Sequence, residues 1–304
     1  MRFRFLERFS KESGYGKVVI NRKIPIEIVK RKRKQMIKLI ATDVDGTLVV
    51  DGSGTLNPEY FPIIEALIQK GIVFIVASGR AESSIENIMK PIVNDIIMIA
   101  EGGSYVSFQG KELESHPIDM EIIRELIKDI HSIEGCEVMI NGTKCCYTDA
   151  KDEKFLQWII EDYHFNVIQV EDLLQVDEEI VKVSLYHATD ATKMAKPWFL
   201  PKWEKRLHVA SAGKEWIDCV MPGTNKGVAL KKIQEQYGIS KEETMVFGDN
   251  INDLEMLAQA KYSFAVANAR EEVKEQANYR TDSNKNHGVL KVLKRLLAGE
   301  PFYN

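Results

Sequence analysis

Residues 37–47 read IKLIATDVDGT, and the fold of the whole chain can be reasoned outward from them. Ile37–Asp43 is a short, nearly continuous apolar run bounded by polar turn residues, the pattern of a strand buried on both faces of a parallel sheet. Downstream, Pro58–Lys70 places Phe61, Ile64, Leu67 and Ile68 close to helical spacing, and Gly71 stops it. Ile72–Ala77 (IVFIVA) predicts a second buried strand, Glu82–Lys90 a helix ended by Pro91, and Asp95–Ala100 a third strand. Between the first strand and first helix, Gly52 and Gly54 suggest a turn or small flap. Strand alternating with helix implies an α/β class with a parallel sheet wrapped by helices.

The alternation returns at the far end. Lys226–Tyr237 is amphipathic and stops at Gly238; Thr244–Gly248 and Tyr262–Val266 predict strands. Asn252–Ala260, Glu271–Ala277 and Val289–Leu297 predict helices. The middle differs: helical stretches (Asp119–Ile133, Asp152–Tyr163) mix with strands (Glu137–Ile140, Ile180–His187, Leu207–Ala210, Trp216–Val220), which is an α+β insert. The expected organisation is a leader at 1–35, a core split over 36–115 and 221–304, and an inserted unit at 116–220.

At roughly 150 residues per domain, 304 residues agree with about two domains. Hydrophobic residues at 44% and charged residues at 28% exclude wholesale disorder, collagen and disulfide mini-proteins. Cys136, Cys145, Cys146 and Cys219 form no C-x-x-C pair or zinc spacing; they read as reduced thiols of a cytoplasmic protein. No apolar run approaches the roughly 18 to 20 residues a membrane span needs, so no membrane partner is expected. The net charge of -4 is uneven. Residues 1–38 carry 13 Lys/Arg against 3 Asp/Glu, a net +10, and the remainder 28 against 42, a net -14. The acidic globule is a poor nucleic-acid binder. The leader contains Lys30-Arg31-Lys32-Arg33-Lys34 but no secretory h-region. It reads as a solvated tail, or as upstream of a start at Met36, ahead of a nucleic-acid or acidic-membrane patch.

Four groups of residues can carry chemistry. Asp43 and Asp45, at i and i+2, leave the end of the first strand, where open α/β sheets bind ligands. Such a pair can bind Mg²⁺ or divide into nucleophile and acid/base; alone, it is equally a turn. Ser78-Gly79-Arg80 offers a hydroxyl and backbone N–H groups ahead of a helix, a phosphate cradle or an ordinary turn. Lys226 opens a helix, where the macrodipole disfavours a cation unless an anion is near; alone, it would be a solvated lysine. Gly248-Asp249-Asn250-Ile251-Asn252-Asp253 brings further carboxylates and amides to a strand end, with Asp253 a candidate N-cap.

The ordered set D-x-D-G-T, S-G-R, P-G-x-x-K-G and G-D-x-x-N-D resembles the haloacid dehalogenase superfamily of phosphohydrolases. With the insert between the second and third motifs, and Tyr279–Ser283 followed by Gly288-Val289, it is similar to the Cof-type branch with a class IIB cap. The resemblance runs from about Met36 to Leu297 and implies a doubly wound, Rossmann-like core with an α+β cap. It implies Asp43 as nucleophile, Asp45 as general acid and then base, and Thr47 as orienting the loop. It implies phosphate binding by Thr47, Ser78, Lys226 and Asn252. Mg²⁺ would be held by Asp43, the Asp45 backbone carbonyl and Asp249, with Asp253 steadying Lys226 or a metal-bound water. The implied activity is a Mg²⁺-dependent phosphatase of small phosphorylated metabolites, such as sugar phosphates or phosphorylated cofactors. A phosphomutase is the alternative within the same chemistry, and a phospho-ligand sensor the alternative outside it. Among neighbouring carboxylates Asp45 is expected to hold a proton easily.

Other features are less pointed. Glu101 stands where many relatives carry an Asn-Gly pair, and is expected near the substrate entrance, altering leaving-group preference. Gly142–Tyr147 and Lys196–Trp203 are the unusual parts of the insert, with Trp198, Phe199 and Trp203 expected to pack within it. The six histidines show no metal spacing.

Overall fold

Strand β1 (Leu39–Thr42) runs through the middle of an eight-stranded sheet. The computed structural model describes residues 37–50, 54–162, 166–211 and 214–302, so the basic leader, the start at Met36 and the turn at Gly52 lie outside the described residues. Around β1 the order is β14-β13-β12-β1-β2-β3-β4-β5. Strands β2 (Val73–Ala77), β3 (Ile97–Ala100), β12 (Thr244–Gly248), β13 (Tyr262–Val266) and β14 (Tyr279–Thr281) run parallel to it. The apolar runs of β1, β2, β3, β12 and β13 are buried along their whole length, because helices cover both faces of the sheet. Those helices are α1 (Tyr60–Gln69), α2 (Glu82–Ile88), α7 (Lys226–Tyr237), α8 (Leu254–Leu257), α9 (Glu271–Gln276) and α10 (Gly288–Ala298).

Several predicted elements shift. The helix expected over Glu82–Lys90 stops at Ile88, and Pro91 falls in the first turn of a 3₁₀ segment, Lys90–Asp95. Proline lacks an N–H, which costs nothing there. The helix expected over Asn252–Ala260 is a 3₁₀ turn, Ile251–Asp253, followed by the short α8. β4 (Tyr105–Phe108) and β5 (Lys111–Ser115) were not anticipated; they extend the sheet as an antiparallel hairpin. Its two-residue turn, Gln109-Gly110, has both φ angles positive, as a type I′ turn requires.

The insert forms a second sheet in the order β10-β11-β9-β6-β7-β8. Its strands are β6 (Cys136–Gly142), β7 (Cys146–Thr148), β8 (Val167–Gln169), β9 (Ile180–His187), β10 (His208–Ser211) and β11 (Trp216–Val220). One face packs on α3 (Met120–His131), α5 (Ala191–Ala195) and α6 (Phe199–Trp203), which bury Leu126, Ile130, Phe199 and Trp203 against Val183 and Leu185. Phe199 and Trp203 thus pack within the cap as expected, whereas Trp198 is exposed. The helix predicted from Asp152 is α4 (Glu153–Gln157) running into a π turn, Trp158–Asp162. Because side chains alternate across a strand, the other face carries Asn141, Lys182, Ser184 and Trp216, and it is turned toward the core. The result is an α/β core with an inserted α+β cap. No helix among the described residues is long and apolar enough to cross a membrane, and all four cysteines are free.

A tight contact sets the loop after β3 against the head of α7. Gly103 follows β3 with φ +109°, and a Cβ built on it would lie 2.4 Å from the Asn225 carbonyl carbon at the head of α7. Gly103→Ala should therefore lower stability by about 1–3 kcal/mol, whereas Gly102→Ala, at φ +68° in open space, should cost less. Urea unfolding checks the ordering; equal midpoints for the two variants would contradict it.

Candidate active site

The loops leaving β1, β2 and β12 meet above the carboxyl ends of three adjacent strands. Thr42 is in register with Phe247 on one side and Val76 on the other, so Asp43, Ser78 and Asp249 emerge side by side. The sheet also reverses its winding at β1, which makes this the place where such sheets hold ligands.

Asp43 continues the sheet for one residue, its N–H donating to the Phe247 carbonyl at 3.0 Å. Its Oδ1 accepts from Lys226 Nζ at 2.6 Å, and the same ammonium donates to Asp253 Oδ1 at 2.7 Å. All three side chains are almost wholly buried. Lys226 reaches this point because α7 begins with it, the Asn225 side chain capping the helix through the Val228 N–H at 2.8 Å. The cation at a helix N-terminus thus has its anions, and the solvated-lysine reading is excluded. Asp253 does not cap α8 with its side chain, as an N-cap would; it closes a capping box whose N-cap is Asn250, its Oδ2 accepting from the N–H groups of Asp249 and Asn250 at 3.0 and 3.1 Å.

Asp249 is brought in from the other side. Its Oδ1 accepts from the buried Thr47 hydroxyl at 2.9 Å, so Thr47 spends its proton on Asp249 rather than on the open site. Gly46 has φ +76°, and a Cβ on it would fall 2.3 Å from Asp249 Oδ2; only glycine lets the loop approach so closely. Asn268 steadies the turn by donating to the Gly46 carbonyl at 2.7 Å, a role no local pattern announced.

The carboxylates of Asp43, Asp249 and Asp253 can bring one oxygen each within 4.8 Å of one another. Burial, then repulsion by Asp253, hold the Asp43 carboxyl well above the usual carboxylate range despite Lys226. Burial by itself would lower the Lys226 ammonium, but Asp253 and Asp43 outweigh it and hold it above its ordinary value. Three carboxylates against one ammonium leave a deficit of positive charge among hard oxygen donors. That donor set fits a divalent cation such as Mg²⁺. Asp253 already accepts three hydrogen bonds.

Asp45 stands close enough to the cluster to repel Asp43, and it takes a two-pronged contact from Arg80: Nε to Oδ2 at 2.7 Å and Nη2 to Oδ1 at 2.6 Å. The chain turns Asp45 toward the loop after β2, so a guanidinium stands beside the carboxylates. Arg80 is buried and is held in turn by Ser84 at 3.2 Å. The arginine stood in the S-G-R tripeptide, but its partner was not legible.

Ser78 is buried at the end of β2, where its Oγ accepts from the Arg80 N–H at 3.1 Å. Its own N–H donates to the Ile99 carbonyl at 2.8 Å. The cradle is therefore narrower than the sequence suggested, since two of the tripeptide's three N–H groups are engaged. Asn252 is exposed on the Ile251–Asp253 turn, outside the bonded cluster. Glu101, expected near the substrate entrance, is buried in the contact between core and cap.

The sequence pattern of the haloacid dehalogenase-like hydrolases matches residues 40–293. The Escherichia coli protein named 5-amino-6-(5-phospho-D-ribitylamino)uracil phosphatase YbjI is 30% identical over 275 residues, covering 88% of this chain and 98% of its own. YwtE of Bacillus subtilis, which carries the same activity name, is 25% identical over 288 residues, covering 87% and 99%. A solved structure from Eubacterium rectale shares 37% identity at a TM-score of 0.78, covering 85% of this chain and 98% of that one. With the match running from β1 into α10, the chain belongs to the haloacid dehalogenase-like hydrolase family, as an enzyme.

Proposed function

We propose that the chain is a Mg²⁺-dependent phosphatase of small phosphorylated metabolites that works through an aspartyl-phosphate. The observation that carries this is the buried Asp43–Lys226–Asp253 chain beside Asp249, at the sheet's ligand-binding edge.

Asp43 is the nucleophile. One of its oxygens forms the bond to phosphorus as the substrate's ester oxygen departs, and Asp45 supplies that oxygen's proton. Asp45 then takes a proton from the water that opens the acyl phosphate, releasing inorganic phosphate and restoring Asp43. Arg80 donates to both oxygens of Asp45 and so fixes where that carboxyl stands. Lys226, Ser78 and Asn252 bind phosphoryl oxygens, and Thr47 acts through Asp249. Asp43, Asp249 and the Asp45 backbone carbonyl would hold Mg²⁺, which would supply positive charge for the phosphoryl oxygens. Asp253 positions Lys226. Residues 116–220 act as the cap that selects the leaving group. The names of the relatives make a phosphorylated ribitylamino-pyrimidine the first substrate to try, beside sugar phosphates and phosphorylated cofactors.

Three outcomes follow. Wild-type protein should release phosphate from at least one such substrate with Mg²⁺ and not with EDTA. Asp43→Asn should abolish release yet unfold at no lower urea concentration in metal-free buffer, because it removes a buried charge that Asp253 repels; turnover by the folded variant would refute the nucleophile. Asp45→Asn should reduce kcat by about 10²–10⁴-fold on alkyl phosphates, read as phosphate release; a full-speed variant would exclude it as acid. An isomerised product with no free phosphate would instead mark a mutase.

A further inference from the structure

Lys182 is a cap residue whose bonds are mostly to the core. It lies on β9, and its ammonium donates to the Gly79 carbonyl at 2.9 Å. It also lies 2.6 Å from Glu101 Oε2 and 3.6 Å from Asp218 Oδ2. Asn141, its register partner on β6, donates from Nδ2 to both Glu101 oxygens at 2.9 and 3.0 Å. Lys182 is 5% exposed, Glu101 2% and Asn141 not at all.

Gly79 sits between the phosphate-binding candidate Ser78 and Arg80, which grips Asp45. The Gly79 carbonyl and the Arg80 N–H belong to one planar trans peptide, and they point in opposite directions. Fixing that carbonyl from the cap therefore aims the Arg80 N–H at Ser78 Oγ, where it donates at 3.1 Å. The Glu101 loop supports the same turn from the core side. Glu101 N–H donates to the Arg80 carbonyl and Gly102 N–H to the Ser78 carbonyl, each at 2.9 Å. Glu101 and Lys182 thus grip one tripeptide from two sides and pair with each other. A buried ion pair adds little stability over apolar packing of similar shape, so adhesion of the cap does not account for it.

We propose that Lys182 is a positioning residue for the reaction: when the cap docks, its ammonium takes the Gly79 carbonyl and sets the Ser78–Arg80 turn, so that the phosphoryl site is complete only under a docked cap. This rests on the phosphatase reading. Lys182 touches the turn and not the reacting atoms, so its loss is felt on every substrate alike.

The test uses the full chain with Mg²⁺, on p-nitrophenyl phosphate and on a sugar phosphate. Lys182→Met alone strands the buried Glu101 charge and can fail to fold, so Glu101→Gln/Lys182→Met, which removes both charges, is measured beside it. The expected result is a folded double variant whose kcat falls by about tenfold or more on both substrates, with KM changed by less than about threefold. An unchanged kcat in the folded double variant would overturn the inference. So would a loss confined to KM on one substrate, which marks a leaving-group contact. Absence of release from the wild-type chain would overturn the phosphatase reading and this inference with it, and so is distinguishable from failure in the variants alone.

Discussion

The Lys226 ammonium, shared between Asp43 and Asp253 and hidden from water, is the interaction on which the rest of the core depends. Its position at the first residue of α7 is opposed by the helix dipole, and burying it is costly. Two charge-assisted hydrogen bonds offset both. They also tie together the end of β1, the start of α7 and the turn after β12, three segments far apart in the chain. Removing the ammonium would strand two buried carboxylates, a loss that typically costs about 3–5 kcal/mol. The cation is therefore the member of the cluster that the fold cannot lose.

That set is unbalanced, and the imbalance has chemical content. Asp43, Asp249 and Asp253 lie together with a single ammonium, bonded to Asp43 and Asp253, and burial with mutual repulsion raises the Asp43 carboxyl. A cluster short of positive charge is receptive to a divalent cation and unwelcoming to a second anion without one. The Arg80–Asp45 pair stands beside it as a second circuit with its own cation, and Asp45 adds to the repulsion on Asp43. The two circuits keep the carboxylates distinct, so two aspartates only two residues apart meet different environments.

The cap uses the alternation of its strands to serve two ends. On β9, Val183 and Leu185 enter the cap's own core, while Lys182 and Ser184 face the catalytic core. Close by, Phe155, Tyr186 and Trp216 cluster with Ala81, the residue after Arg80. The face that would meet water in an isolated cap is thereby the one that contacts the Ser78–Arg80 turn, by a cation at Gly79 and by an apolar cluster at Ala81.

What the sequence determined by itself was short-ranged. Continuous apolar runs such as Ile72–Ala77 and Thr244–Gly248 marked strands buried on both faces, and each motif could be placed at a strand end or helix start. The Tyr105–Ser115 hairpin carries a short-range signal as well, the Gln109-Gly110 turn between its two strands. Partners were another matter. Lys226 and Asp43 are separated by 183 positions, Lys182 and Gly79 by 103, Arg80 and Asp45 by 35. Periodicity and turn chemistry act over a few residues, so they deliver a carboxylate to a sheet edge without saying which cation it meets. That choice depends on strand order, on loop paths allowed by residues such as Gly46 and Gly103, and on how the cap sheet lies on the core. Only the tertiary structure could give Asp45 to Arg80, close Glu101 under Lys182, and leave Asp43 with Lys226.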